Sequence, residues 1–197
     1  MTAPRITPAD VRRFWFEESG PAKWYRVSPA FDARMRRLFA ASVECEAAVL
    51  RAGAHPWLDD PQDALALVIL LDQFPRNIWR GSGKAFAFDA LARQVARSMI
   101  ERGFDFAIAE DRRAFVYMPF MHSEALDDQD YCVQLAAERL ISQGTHEHAV
   151  KHREVIRRFG RFPYRNDALQ RISTPEEIDY LEHGGYAPGR IDSAKKT

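Results

Sequence analysis

Two short stretches carry the residue types from which a binding or reactive site could be built. Leu70 to Gly83 reads LLDQFPRNIWRGSG, and Phe159 to Asn166 reads FGRFPYRN. In each, a Phe-Pro turn is followed by an Arg-Asn pair. A guanidinium fork matches two oxygens of a carboxylate or phosphate at once. Arg76, Arg80, Arg158, Arg161 and Arg165 are therefore candidate anion contacts, with Asn77 and Asn166 as amides able to donate and accept. Asp72 and Gln73 stand just before the first proline, placed to orient the arginines. Two such corners facing one another enclose a cationic, hydrogen-bonding pocket floored by aromatic rings. The same arginines, tied to Asp72, Glu124 or Asp128, would instead clamp helix ends together. Either arrangement requires a paired network, because charges are costly to bury alone.

Between the corners lies YMPFMHSEALDDQ, with His122, Ser123 and Glu124 in succession. An imidazole titrates near neutral pH, which makes His122 a candidate general base. Ser123 reads as a helix cap, since no G-x-S-x-G elbow surrounds it. Glu124 falls in a first helical turn, where a carboxylate complements the dipole, and could orient a histidine. Further on, HEHAVKH sets His148 and His152 one helical turn apart, an arrangement that invites a metal reading. HExxH is absent, and His146 and His148 point in different directions on a helix, so no metal is assigned. The proton-moving candidates are His122 and His152, with Glu124 as orienter. No cofactor is identified.

The elements that must position these residues read as helices throughout, with no strand alternation. Thr7-Pro8, Ser28-Pro29, Asp60-Pro61 and Thr174-Pro175 each pair a cap with a proline tolerated at the first helical position. ALALVILL, Ala64 to Leu71, is apolar on nearly every side and marks the most buried helix. Phe74 precedes a proline and so marks a helix end or kink, with Pro75 opening a new helix whose N–H groups attract anions. Met118-Pro119 stops another helix, Ser123 and Thr145 start two more, and several end at glycine. The expected fold is all-α, antiparallel helix pairs in one domain over residues 1–186, with a frayed tail at 187–197.

Composition removes some function classes. Basic and acidic residues balance at 28 each, so the chain lacks the excess expected of a nucleic-acid binder, and no nucleic acid is expected. No apolar run approaches the roughly 18 residues needed to span a bilayer. The first residues lack the apolar stretch of a signal peptide. A cytoplasmic protein without membrane association is expected. The two cysteines, Cys45 and Cys132, form no CxxC pair and read as buried free thiols.

The segments LLDQFPRNIWRGSGKAFAFDALA, YMPFMHSEALDDQ, HREVIRRFGRFPYRN and ALQRISTPEEIDYL together resemble a bacterial family catalogued as domain of unknown function number 924. The similarity spans most of Val11 to Leu181. It implies a tetratricopeptide-like fold, that is, an irregular bundle of helix pairs with a concave groove. The motif positions it carries over are Asp72, Gln73, Arg76, Asn77 and Arg80; His122, Ser123, Glu124 and Gln129; and His152, Arg158, Arg161, Arg165 and Asn166. One departure is QRIS at Gln170 to Ser173, where the family often has leucine-glycine-arginine before the serine. The resemblance supplies no activity. The residues favour a site for a small anionic molecule, bound or converted; the rival expectation is a groove that holds a peptide or partner protein.

Overall fold

The structure is a computed structural model that describes residues 6–24 and 27–188. Residues 1–5, Tyr25, Arg26 and residues 189–197 of the expected tail lie outside the described residues. Every regular element among the described residues is helical. Thr7 opens α1 (Pro8–Arg12) with a capping box to Asp10, and the helix widens into a π-helical stretch over Arg13–Ser19. Gly20, at φ 66°, ends that stretch before α2 (Pro21–Trp24). Ser28 caps α3 (Pro29–Ala52) and Asp60 caps α4 (Pro61–Ile78) through their side-chain oxygens. There follow α5 (Asp89–Glu101), α6 (Glu110–Met121), α7 (Leu126–Arg139), α8 (Gln143–Phe159) and α9 (Pro175–Glu182). Thr174 and Glu177 form a second capping box at the start of α9.

Polar contacts fix the helix directions. Arg80, just past the end of α4, reaches Asp32 in the first turn of α3. Arg113 at the start of α6 donates to the Arg139 carbonyl at the end of α7. Arg153, late in α8, reaches Asp130, early in α7. The pairs α3–α4, α6–α7 and α7–α8 are thus antiparallel, and the molecule is an irregular all-helical bundle of the tetratricopeptide-like kind.

At the centre, α4 is buried on all sides from Ala64 to Pro75, as its unbroken apolar run requires. Two proline expectations fail. Pro75 lies inside α4 and Pro119 inside α6, and neither ends its helix. Pro75 falls in the last turn, where a missing N–H costs one backbone bond and the tertiary packing of Phe74 outweighs it. That ring, wholly buried, meets Phe39 at 4.8 Å, Trp15 at 5.6 Å and Phe14 at 5.9 Å between centroids. No new helix begins at Pro75, so the anion attraction expected of its N–H groups is absent. Ser142, not Thr145, precedes α8.

Most buried apolar residues of α1 to α7 belong to one large cluster. A much smaller one joins Val155, Ile156 and Phe162 to Phe159, Tyr164, Tyr180 and Tyr186. Cys132 is buried in the large cluster, its thiol 3.5 Å from the Tyr117 carbonyl and pushed by burial up to about 12. Cys45 on α3 is exposed, contrary to expectation. No helix among the described residues is long and apolar enough to cross a membrane.

Candidate functional site

The last turns of α4 bring Asp72 and Arg76 onto one face, four residues apart. Arg76 meets Asp89, the first residue of α5, through two 3.0 Å hydrogen bonds in a fork-to-fork pair. It also lies 3.2 Å from Asp72 and donates to that residue's own carbonyl. His122, which caps the C-terminus of α6, sets Nδ1 at 2.9 and 3.0 Å from the two Asp72 oxygens. Gln73 donates to the same carboxylate from 2.5 Å. Asp72 is fully buried, so this set of donors compensates the loss of water around its charge.

The second Phe-Pro corner arrives from the opposite side. Pro163–Arg165 is a single 3-10 turn that delivers Arg165, only 4% exposed, between the rings of Phe162 and Phe86. Its Nη1 donates to the His122 carbonyl at 3.0 Å and lies 3.8 Å from Asp89. Its Nε is buried with no hydrogen-bond partner. Arg76 and Arg165 therefore share both Asp89 and the face of Phe86. His152 of α8 completes the cluster, its ring 6.2 Å from that of His122 and edge-on to Phe162 at 5.6 Å. Its Nδ1 donates to the His148 carbonyl at 2.8 Å, with the Tyr186 hydroxyl 3.4 Å away.

Electrostatics assigns the protons. Burial pushes the Asp72 carboxyl up, but Arg76 and His122 outweigh it and hold the pKa down at about 2. His122 is held below the ordinary histidine value by burial and by Arg76, against the opposing pull of Asp72. Burial and the neighbouring His122 take His152 down to about 3. Near neutral pH both imidazoles are uncharged. Asp72 can only accept, so His122 carries its proton on Nδ1 and its lone pair on Nε2. His152 has the same tautomer, because its Nδ1 faces a carbonyl. Two guanidiniums thus balance two carboxylates around two neutral bases.

Of the residues expected from sequence, Asp72, Gln73, Arg76, His122, His152 and Arg165 come together here. The others do not. Arg80 pairs with Asp32 at 2.7 and 3.2 Å, and Asn77 donates to the same carboxylate at 3.2 Å. Arg161 grips Glu177 at 2.6 and 2.8 Å, and Asn166 joins that carboxylate at 3.2 Å. Arg158 pairs with Glu176 on the surface. Glu124, expected to orient a histidine, instead accepts two hydrogen bonds from Arg171 and one from the Phe162 N–H. Burial raises its pKa, but those donors lower it further. The carboxylate that meets a histidine here is Asp72. Ser123, expected to cap the next helix, donates to Asp128 at 2.7 Å and accepts from the Ala125 N–H. The N-cap of α7, however, is Ala125, which makes no side-chain cap bond.

Sequence reading missed Asp89, Phe86, Arg171 and Tyr186. Asp89 lay in a first helical turn, where an acidic residue carries no special signal. Arg171 was legible only as part of the departing QRIS segment. Among the described residues no three His, Cys, Asp or Glu side chains converge as metal ligands would.

Residues 11–185 match the family described as bacterial protein of unknown function, DUF924. A solved structure of a protein of unknown function from Agrobacterium tumefaciens is similar, with a TM-score of 0.81 and 41% sequence identity. The match covers 90% of this chain and 97% of that one. None of the curated proteins matches the sequence.

Proposed function

We propose, from the premise that this chain belongs to the DUF924 family, that the cluster around His122 binds a small carboxylate or phosphate and moves a proton on it. The observation that carries the reading is the pairing of fully buried Asp72 with half-buried His122, with Arg165 on the His122 carbonyl. A carboxylate that fixes the imidazole tautomer leaves Nε2 as a base of defined direction. Arg165 supplies the anion contact, because its Nε has no partner while Arg76 is already filled by Asp72 and Asp89. The unfilled donor is buried, where an oxygen acceptor gains most from meeting it. In this reading Arg76 and Asp89 hold the frame, Arg165 holds the anionic group, and His122 takes the proton, with His152 beside it.

The rival reading, a groove for a peptide or partner protein, has less support. Large exposed apolar side chains occur, but Leu38, Phe106, Ile141 and Ile172 stand on different elements. A thermal-shift screen of small carboxylates and phosphate monoesters tests the proposal. A binder present at about a hundred times its Kd should stabilise the protein by about 2.7 kcal/mol. Arg165→Lys, which keeps the charge and loses the fork, should remove that stabilisation. A screen in which no anion raises the melting temperature, or a lysine variant that responds as the parent does, defeats the reading.

A further inference from the structure

His152 is linked to the surface by a chain of hydrogen-bonding groups that lies outside the proposed anion contact. His152 Nδ1 lies 3.4 Å from the Tyr186 hydroxyl, and that hydroxyl lies 2.8 Å from Nδ1 of His148. His152 is 4% exposed, whereas His148 is exposed on the outer face of α8. The Tyr186 ring packs edge-on to His152 at 5.0 Å and tilted to His148 at 6.0 Å, so one phenol spans both imidazoles. Its placement is fixed from behind, because the Tyr186 N–H donates to the Tyr180 hydroxyl at 2.8 Å.

The donor order is consistent along the whole path. His152 carries its proton on Nδ1, as its bond to the His148 carbonyl requires. A phenol can accept there and donate onward, and His148 Nδ1 is then the acceptor with its own proton on Nε2. We propose that Tyr186 and His148 form a proton relay that connects His152, and through it the His122 site, to solvent. This inference rests on the proton-moving role given above to that site. A proton arriving at His152 Nε2 makes an imidazolium, which releases its Nδ1 proton to the Tyr186 oxygen. Tyr186 passes its own hydroxyl proton to His148 Nδ1, and His148 gives up its Nε2 proton to water. One proton enters, one leaves, and no group keeps a net charge. A site built from a buried base needs such an exit, because an imidazolium held in apolar surroundings is disfavoured.

Nitrogen-edited NMR of the histidine rings tests the relay without any ligand, by the rate at which ring N–H protons exchange with water. Tyr186→Phe keeps the ring and deletes only the hydroxyl; His148→Gln keeps the carbonyl that His152 uses and deletes the exit base. Each should slow exchange of the His152 ring proton by about tenfold or more, while backbone amides of α8 exchange within about twofold of their parent rates. Parent-like or faster ring exchange in both variants overturns the relay. The anion screen is a separate measurement, so a relay without a ligand, or a ligand without a relay, identifies which of the two readings has failed.

Discussion

At the scale of single residues, the candidate site is defined by which charges are cancelled and which bases are kept neutral. Asp72 and Asp89 neutralise Arg76 and Arg165, so His122 and His152 meet little net charge and are set mainly by burial. That has a consequence for stability. A histidine whose pKa is lowered by folding binds its proton in the unfolded chain before it does so in the folded one. The stability difference is absent above the ordinary value of about 6.5 and grows as pH falls below it. For His152 the loss continues to about 3, at up to about 1.4 kcal/mol per pH unit. Asp72 behaves in the same direction lower down: its contribution is present above the ordinary carboxylate value and is lost as pH falls toward about 2. Urea midpoints should therefore drop between pH 7 and pH 5, and less steeply in His152→Gln. A midpoint independent of pH over that range would contradict the buried, neutral state of His152.

At the scale of elements, the sequence was most legible where caps and apolar periodicity agree. Ser28-Pro29, Asp60-Pro61 and Thr174-Pro175 start α3, α4 and α9 as their residue types demand. It was least legible at Pro75 and Pro119, where local chemistry argued for an end and packing carried the helix through. The same competition governed the site. Arg76 and Arg80 share a spacing that suggests one face, yet each follows the nearest carboxylate, Asp89 or Asp32, whose position depends on how helices pair. Only the folded chain decides that. The loop before α9 gives a sharper case. Gln170 is the one non-glycine with positive φ among the described residues, at 55°, and it stands at the departure from the related family noted above. A left-handed conformation costs a side-chain-bearing residue about 1–2 kcal/mol. Gln170→Gly should remove most of that strain and raise the melting temperature by about 2–4 °C, a shift that calorimetry resolves. A lower melting temperature would mean that the glutamine side chain makes a contribution larger than its backbone strain.

At the scale of the molecule, the site lies along a seam. Asp72, Arg76 and His122 belong to helices packed in the large apolar cluster, whereas Arg165, Phe162 and Tyr186 belong with the small one. Across the seam run polar links: Arg171 to Glu124, the Phe162 N–H to Glu124, and Arg165 to the His122 carbonyl. A small cluster held by such links opens at lower free energy than a central helix. Amide hydrogen exchange should therefore be faster over residues 162–182 than over α4, and an anion bound at Arg165 should slow the former selectively. Uniform exchange across both regions would argue against a separable layer. The two cysteines follow the same division of the fold into what is open and what is closed. An alkylating dye meets Cys45 on the native surface at once, whereas Cys132 waits for α6 and α7 to part. Without any engineering, the chain thus carries one handle for attaching a fluorophore and one stopwatch for the opening of its interior.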